Sequence, residues 1–255
     1  MPELPEAETI ARTLAPLVEG RSILNAEYPG RRVLRGAMPD LSGARIVRVA
    51  RHGKRIVLAL DRGAVLVSLG MTGALLVDSE PTSYTRAVFT LSGRTLLFDD
   101  IRQFGNLRFL SAADESLGPD PLEITAAEFR ARLRARRTVA KRLLLDQSFV
   151  RGLGNIYADE ALFRARIHPS AQTERMSDVR ANRLHAAIVE LLNEAIAHRG
   201  SSVSDYVDAK GERGGFQLFH RVYRKQGQPC PACGAAIQRI VLAQRGTHFC
   251  PRCQR

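Results

Sequence analysis

The opening residues of the chain carry the sharpest candidate for chemistry. Met1 precedes Pro2, and so small a second residue allows removal of the initiator methionine, which leaves a secondary amine at the N-terminus. An α-amine has a pKa of about 8, so a neutral fraction exists at about pH 7 and can attack an electrophilic sugar or carbonyl carbon. Glu3 and Glu6 are close enough in sequence to move protons at that carbon. Acids at a helix start also serve as partners of the helix dipole, so the pattern alone leaves both interpretations open.

Four cysteines provide the strongest spacing signal. Cys230 and Cys233 form one C-x2-C pair, and Cys250 and Cys253 form a second. Two such pairs supply the four soft ligands that zinc takes in closed, tetrahedral structural sites. This predicts one structural Zn²⁺ that staples a hairpin too short to hold a core of its own. Cysteines confined to such a site are typical of a reducing compartment rather than of a disulfide-stabilised domain.

The charge of the chain favours a polyanionic partner. Thirty-eight basic and 26 acidic residues give a net charge of +12 and a pI of about 10.4, which points most simply to nucleic acid. Arg239, Arg245 and Arg252 lie in or beside the cysteine pairs, where they either present cations to DNA or form a solvated face. The apolar runs are too short to cross a bilayer and no signal-peptide pattern opens the chain, so we expect no membrane partner.

Two kinds of secondary structure must position these groups. Acids near Pro5 and the spacing of Ile10, Leu14 and Leu17 predict a first helix that ends at Gly20. Short β-branched and leucine-rich runs separated by turns then predict a β-sandwich or barrel, with strands at 45–49, 56–60, 65–69, 87–91 and 95–98. A helical period follows and predicts helices at 126–136, 139–145, 155–164 and 178–198.

These patterns predict an α+β fold in two lobes. We expect an N-terminal catalytic helix and β-sandwich domain at 1–110, a linker at 111–125, a helical domain at 126–228 and a zinc hairpin at 229–255. The polar, glycine-rich stretch at 200–228 is expected to be a mobile loop.

Several motifs occur in one order along essentially the whole chain. They are Met-Pro-Glu-Leu-Pro-Glu-Ala-Glu-Thr at 1–9, Gly-Lys at 53–54, Leu-Gly-Met-Thr-Gly at 69–73, Asp-Ile-Arg-Gln-Phe-Gly at 100–105, Leu-Gly-Asn-Ile-Tyr-Ala at 153–158 and the two cysteine pairs. In this order they resemble the formamidopyrimidine-DNA glycosylases, bacterial enzymes of base-excision repair. The resemblance implies that 126–228 is a helix-two-turns-helix DNA-binding domain, with a loop at 201–217 that covers an everted purine.

The resemblance also implies a reaction. The chain is expected to be a bifunctional DNA glycosylase and apurinic/apyrimidinic lyase that removes 8-oxoguanine and formamidopyrimidines. Pro2 would attack C1′, release the base and leave a Schiff base, after which β,δ-elimination cuts the strand. Glu3 would move protons at the sugar, Glu6 would support the site, and Lys54 would be a cation near the lesion phosphates.

DNA-binding roles follow from the same resemblance. A base inside a duplex must be everted before it can react, and the gap that remains must be filled by inserted side chains. Met71, Arg102 and Phe104 match the inserted residues of the family, and Lys141, Asn155 and Arg245 match its phosphate contacts. The chain departs from the family at Gln103, where many relatives have Lys or Arg, and at Arg224, where Gly is usual.

The expected partner is double-stranded DNA that contains damaged bases or abasic sites. We expect the protein to act as a monomer in the bacterial cytoplasm, associated with the nucleoid through DNA. Two alternatives stay open: an endonuclease VIII-like glycosylase for oxidised pyrimidines, and a non-catalytic zinc-dependent DNA-binding protein. Leu4, where the pyrimidine-specific group usually has Gly, argues against the first, and intact Pro2, Glu3, Glu6 and Lys54 argue against the second.

Overall fold

The computed structural model describes residues 2–111, 117–203 and 205–255, which fall into two compact units. The first unit is Met1–Glu115 with Ile196–Gln217, and the second is Ser116–Ala195 with Leu218–Arg255. The centre of the expected linker, 112–116, lies outside the described residues. Ile196–Gln217 belongs to the same unit as the N-terminus although almost two hundred residues separate them in sequence.

The first helix, α1, spans Leu4–Val18, close to its predicted bounds. Glu3 is its N-cap residue, and the Glu3 backbone N–H donates to Glu6 Oε2 at 2.7 Å, which satisfies one of the donors left open at a helix start. Pro5 fits in the first turn because its missing N–H is not needed there. Leu4, Ile10 and Leu14 are fully buried, so one apolar face fixes the helix to the core.

Two four-stranded antiparallel sheets form the rest of the first unit. Their strands are β1 Ile23–Glu27, β2 Ile46–His52, β3 Arg55–Leu60, β4 Ala64–Ser68, β5 Gly73–Val77, β6 Thr85–Leu91, β7 Arg94–Asp100 and β8 Asn106–Leu110. The sheet orders are β1-β6-β7-β5 and β2-β3-β4-β8. One buried core takes residues from both sheets and from α1, which agrees with the predicted helix and sandwich. β1, β5 and β8 have no counterpart among the strands predicted from the sequence.

The second unit contains the helices and the hairpin that the sequence predicts. The helices are α2 Ala126–Arg134, α3 Ala140–Leu145, α4 Asn155–Arg164 and α5 Asp178–Ala197, and the hairpin pairs β9 Gln238–Leu242 with β10 Arg245–Phe249. The last two residues of α5 cluster with the first unit. None of the described helices combines the length and the apolar character needed to cross a bilayer.

Candidate active site and nucleic-acid interface

Pro2, Glu3 and Glu6 lie together at the buried start of α1. Glu3 is 3% exposed and Glu6 is 1% exposed, and Pro2 is also buried. Glu6 bridges two backbone donors, because its Oε2 accepts from Glu3 N and its Oε1 accepts from Ser201 N at 2.6 Å. The two carboxylates therefore lie at the positive end of the helix dipole, beside Pro2.

The segment that touches Glu6 is part of the glycine-rich stretch predicted as a mobile loop. Gly200 has φ +76°, and a Cβ at this position would lie 2.7 Å from Glu6 Oε1, so only glycine allows this approach. Tyr206 is buried, and its hydroxyl donates to Arg199 O at 3.1 Å. Burial, with the Glu6 charge adding to it, raises the pKa of Tyr206 and keeps this hydroxyl a neutral donor. In the structure this stretch has defined contacts with α1.

Lys54 lies in the tight turn between β2 and β3, as predicted, and is half-buried. An ion pair that the sequence analysis did not identify fixes the end of β2 to α1, since Arg51 Nε donates to Glu8 Oε2 at 2.8 Å. Burial opposes ionisation of Glu8, but hydrogen bonds from Arg51 and Arg12 outweigh it and lower the pKa of Glu8. This pair holds the strand that leads to Lys54 against the helix that begins beside Pro2.

Met71 and Phe104 are exposed at loop tips rather than packed in the core. Met71 is 41% exposed in the β4–β5 loop, and Phe104 is 55% exposed in the β7–β8 loop. The guanidinium of Arg102 lies 4.8 Å from the centre of the Phe104 ring, within cation–π range. Large apolar groups displayed in this way suit insertion into another molecule better than they suit water.

A buried carboxylate joins these two loops. Asp100 is 1% exposed; its Oδ1 accepts from the Thr72 hydroxyl at 2.5 Å and its Oδ2 accepts from Gly105 N at 2.7 Å. The Thr72 hydroxyl in turn accepts from Arg102 N at 3.0 Å. Asp100 therefore sets the spacing between Met71 on one loop and the Arg102–Phe104 segment on the other, a role the sequence did not reveal.

The two departures from the family pattern share a backbone feature. Gln103 has φ +56° and Arg224 has φ +58°, both in the left-handed region that favours glycine. At Arg224 the residue usual in relatives would adopt this conformation without strain. Arg224 is therefore more strained at this position than the glycine usual in relatives would be.

Lys141 lies deeper than a phosphate contact requires. Its side chain has no exposed area; its Nζ donates to Asp159 Oδ1 at 2.6 Å and to Asn155 O at 3.0 Å. The resemblance implies a phosphate contact for Lys141, whereas in the structure its ammonium is paired with Asp159. The ammonium instead fixes the first turn of α4, where Asn155 is the first residue.

Asp159 also connects α4 to the zinc hairpin. Its Oδ2 accepts from His248 N at 2.9 Å and lies 3.0 Å from His248 Nδ1. One turn earlier, Asn155 Nδ2 donates to Gly246 O at 2.9 Å. These contacts hold β10 on the start of α4, so Arg245, exposed at the first position of β10, lies close to Asn155.

A second arginine, Arg239 on β9, lies against the glycine that follows Arg245 on β10. A Cβ at Gly246 would lie 2.7 Å from Arg239 Nη2, so the guanidinium of Arg239 covers this glycine. Ala243 (φ +48°) and Gln244 (φ +58°) form the turn, both in the left-handed region that a two-residue hairpin turn requires. Asn155, Arg239 and Arg245 thus form one cationic and polar group on the second unit.

The four cysteines come together as predicted. The Sγ atoms of Cys230, Cys233, Cys250 and Cys253 all lie within 4.8 Å of one another. The Cys230–Cys253 and Cys233–Cys250 Sγ separations are 3.9 and 3.4 Å. Zn–S bonds of about 2.3 Å in a tetrahedron set S–S separations of about 3.8 Å, so the cluster fits one structural Zn²⁺.

Three family models cover most of the chain. The formamidopyrimidine-DNA glycosylase N-terminal domain matches residues 1–107 and the formamidopyrimidine-DNA glycosylase H2TH domain matches residues 117–207. A zinc finger found in FPG and IleRS matches residues 227–255, which include all four cysteines.

Individual proteins match over full length. The formamidopyrimidine-DNA glycosylase of Solibacter usitatus is 51% identical, with all of both chains covered, and that of Thermus thermophilus is 45% identical over all of this chain and 98% of the relative. The crystal structure of the MutM (Fpg) protein from Thermus thermophilus has a TM-score of 0.90 and 43% identity, covering 99% of this chain and 98% of that one. The complex between Lactococcus lactis Fpg and DNA that contains an abasic site has a TM-score of 0.92 and 33% identity, covering 99% of each chain.

Proposed function

The chain belongs to the formamidopyrimidine-DNA glycosylase family, and from this premise we propose that the amine of Pro2 is its nucleophile. The protein is a DNA glycosylase of base-excision repair that removes oxidised purines and carries the apurinic/apyrimidinic lyase activity of its family. The observation that supports this assignment is the burial of Glu3 and Glu6 beside Pro2. Glu6 accepts hydrogen bonds from the backbone of Glu3 and from the backbone of Ser201.

In the proposed reaction, the neutral amine of Pro2 bonds to C1′ of the everted nucleotide while the bond from C1′ to the base breaks. The base leaves with the electron pair of that bond and takes up the proton that the amine gives up. Glu3 donates a proton to the ring oxygen, the sugar opens, and an iminium remains between Pro2 and C1′. The Glu3 carboxylate then accepts a C2′ proton as the 3′ phosphate leaves, and loss of a further sugar proton in a second elimination expels the 5′ phosphate. Glu6 binds the backbone N–H groups of Glu3 and Ser201, so it positions Pro2 and Glu3 and does not react itself.

We propose that Met71, Arg102 and Phe104 fill the gap left by the everted nucleotide. Their exposed positions on two loops joined through Asp100 support this role. Met is apolar and flexible, Phe can wedge into a base step, and Arg can hydrogen-bond the orphaned base. Gln103, between Arg102 and Phe104, offers a neutral contact where a cation is common. The loop at 201–217 covers the everted purine, and its contact with Glu6 supports that role.

Phosphate contacts are assigned to Arg245 and Asn155 in the second unit and to Lys54 in the first. The exposure of Arg245 and its closeness to Asn155 support this assignment. Lys141 acts as a positioning residue, since its buried ammonium orders the turn that begins with Asn155. The start of a helix offers unpaired N–H groups and a positive dipole end, both of which suit phosphate.

Replacement of Arg245 by Ala is expected to weaken binding to damaged and undamaged duplex alike, because a phosphate contact carries no sequence or lesion information. The slope of log affinity against log salt should fall by about one unit. Filter binding or fluorescence anisotropy over a range of salt concentrations measures both effects. Arg48→Ala, which removes an equal charge from an exposed position on β2, is the matched control. A loss confined to damaged DNA would contradict the assignment.

The substrate class is tested by cleavage of two duplexes under one condition. We expect cleavage of a duplex with 8-oxoguanine opposite cytosine at least about tenfold faster than cleavage of a duplex with an oxidised pyrimidine, a difference of about 1.4 kcal/mol in barrier. The reverse order would identify the endonuclease VIII-like alternative. Tight binding to both duplexes without cleavage would identify the non-catalytic alternative.

Domain limits, oligomeric state and location complete the proposal. We propose a catalytic domain at 1–110, a linker at 111–125, a DNA-binding domain at 126–228 and a zinc hairpin at 229–255. The family matches at 1–107 and 227–255 support the first and the last of these ranges. The protein acts as a monomer in the cytoplasm at the nucleoid. Four cysteines gathered in one metal site support a reducing compartment.

A further inference from the structure

The chain between α5 and Gln217 forms a loop whose two ends are fastened together. Phe216 N donates to Gly200 O at 2.9 Å, and Gly214 N donates to the Ser202 hydroxyl at 2.9 Å. The Ser202 backbone N–H donates to Gln217 Oε1 at 2.9 Å. A loop whose ends are hydrogen-bonded to each other in this way has the pattern of an Ω-loop.

Asp208 fastens the tip of this loop to its beginning. Its Oδ1 accepts from Lys210 N at 2.9 Å and from Glu212 N at 3.0 Å, and its Oδ2 pairs with the guanidinium of Arg199. The Asp208 side chain is only 1% exposed. A carboxylate with several donors at such a site fixes the backbone around it, because leaving those donors unpaired costs more than an ordinary hydrogen bond contributes.

Arg199 makes a second ion pair that provides an internal comparison. Its Nη2 lies 2.6 Å from Glu212 Oε2, and the Glu212 side chain is 57% exposed. The same arginine therefore has one buried and one exposed partner in the same loop. Exposed ion pairs contribute little to stability, whereas breaking a buried one leaves an uncompensated charge.

The loop is fixed to α1 next to the reacting residues. Ser201 N donates to Glu6 Oε1, the Tyr206 hydroxyl lies 3.4 Å from Glu6 O, and Ala209 N lies 3.4 Å from the Thr13 hydroxyl. Ala209 follows Asp208 directly, so a displacement of the tip moves a residue that contacts α1. The tip of the loop is thus connected to α1 at Thr13, and the start of the loop is connected to the first turn of α1 at Glu6.

We propose that Asp208 is a positioning residue for base release, which acts by holding the tip of the 201–217 loop in the shape that accepts an everted purine. This inference rests on the proposed function, in which that loop covers the base. Release of the base needs the covered pocket, whereas an abasic site has no base to cover. Loss of the Asp208 carboxylate should therefore slow base release and leave strand cleavage at an abasic site nearly unchanged.

The test compares two substrates with one set of variants. Asp208→Asn keeps the size and one acceptor oxygen but removes the charge that pairs with Arg199. Single-turnover rates are measured on a duplex with 8-oxoguanine and on the same duplex with a preformed abasic site. We expect a loss of about tenfold to 100-fold on 8-oxoguanine, since a displacement of about 1 Å has effects of this size, and a change within about twofold on the abasic site.

Two control variants separate this role from a general loss of fold. Glu212→Gln removes the exposed partner of the same arginine and should change both rates by less than about twofold. Asp120→Asn removes a buried carboxylate in the other unit, which pairs with Arg151 and accepts from Leu122 N at 3.0 Å. The melting temperature of the Asp120→Asn variant shows how much stability is lost when a buried charge is removed away from the loop. Arg199→Gln should reproduce the Asp208→Asn rates, and the double variant should lose no more than either single variant.

Each outcome decides the question. Equal losses on both substrates by Asp208→Asn, or no loss on either, would overturn the positioning role while wild-type activity still supports the proposed function. A loss on 8-oxoguanine as large for Glu212→Gln as for Asp208→Asn would also overturn it. Absence of cleavage by the wild-type protein on both substrates would instead overturn the proposed function.

Discussion

When the nitrogen of Pro2 stays in an amide bond, the rates of base release and strand cleavage are expected to fall by at least about 10⁴-fold. This is the scale of loss seen when an enzyme's nucleophile is removed. An amide nitrogen has no available electron pair for attack on C1′. Binding to damaged duplex should change much less, because the proposed phosphate contacts are made by other residues, Lys54, Asn155 and Arg245. A fusion that leaves two residues in front of Pro2 provides this amide bond, and rates of 8-oxoguanine release measure the effect.

The control is the same fusion cleaved so that Pro2 becomes the first residue. It should regain the activity of the wild-type protein, which separates loss of the amine from loss of fold. Loss of binding equal to the loss of cleavage would contradict the separation between nucleophile and phosphate contacts. Full activity with the amide intact would contradict the assignment of Pro2.

Loss of zinc has the second largest expected effect. Structural zinc contributes about 10 kcal/mol to folding in small zinc-finger peptides, and the core beside the cysteines in the described residues consists of few side chains. Cys250→Ser, at a fully buried ligand, should release the metal and unfold the β9–β10 hairpin. DNA affinity should fall by at least about tenfold, since Arg245 and the neighbouring hydrogen bond from Asn155 to Gly246 lose their support.

Zinc content, proteolysis of the hairpin and DNA affinity measure this effect together. Arg245→Ala is the control, because it removes the charge and should keep one zinc per chain. Chelation followed by added Zn²⁺ should restore binding by the wild-type protein and not by Cys250→Ser. Retention of full DNA affinity without the metal would contradict a stapling role for the cluster.

Local patterns in the sequence predict much of the scaffold. The spacing of Ile10, Leu14 and Leu17 locates α1, and the cysteine pairs locate the zinc hairpin, because each pattern is set by neighbours a few residues apart. The strands β1, β5 and β8 were not identified. β1 has a mostly exposed pattern without clean alternation, β5 begins at Gly73 directly after a turn, and β8 follows Gly105.

The contacts that complete the site join residues distant in sequence. Glu6 meets Ser201, Asp159 meets His248 and Asp100 meets Thr72, and a carboxylate in the sequence carries no signal of which amide it will accept from. The same limit explains the burial of Lys141, because a lysine in a helical pattern is usually exposed. The predicted helix already puts Asp159 one turn from Asn155, but only the fold reveals that both residues contact the hairpin that carries Arg245.

The central claim is a covalent intermediate on Pro2, and borohydride trapping tests it most directly. Protein that begins at Pro2 is mixed with a duplex that carries 8-oxoguanine opposite cytosine, reduced with borohydride, digested and analysed by mass spectrometry. The account predicts a stable DNA adduct on the N-terminal peptide at the proline nitrogen, and no adduct for protein with the amide intact. An adduct on a lysine such as Lys54, or base release without any trapped adduct, would contradict it.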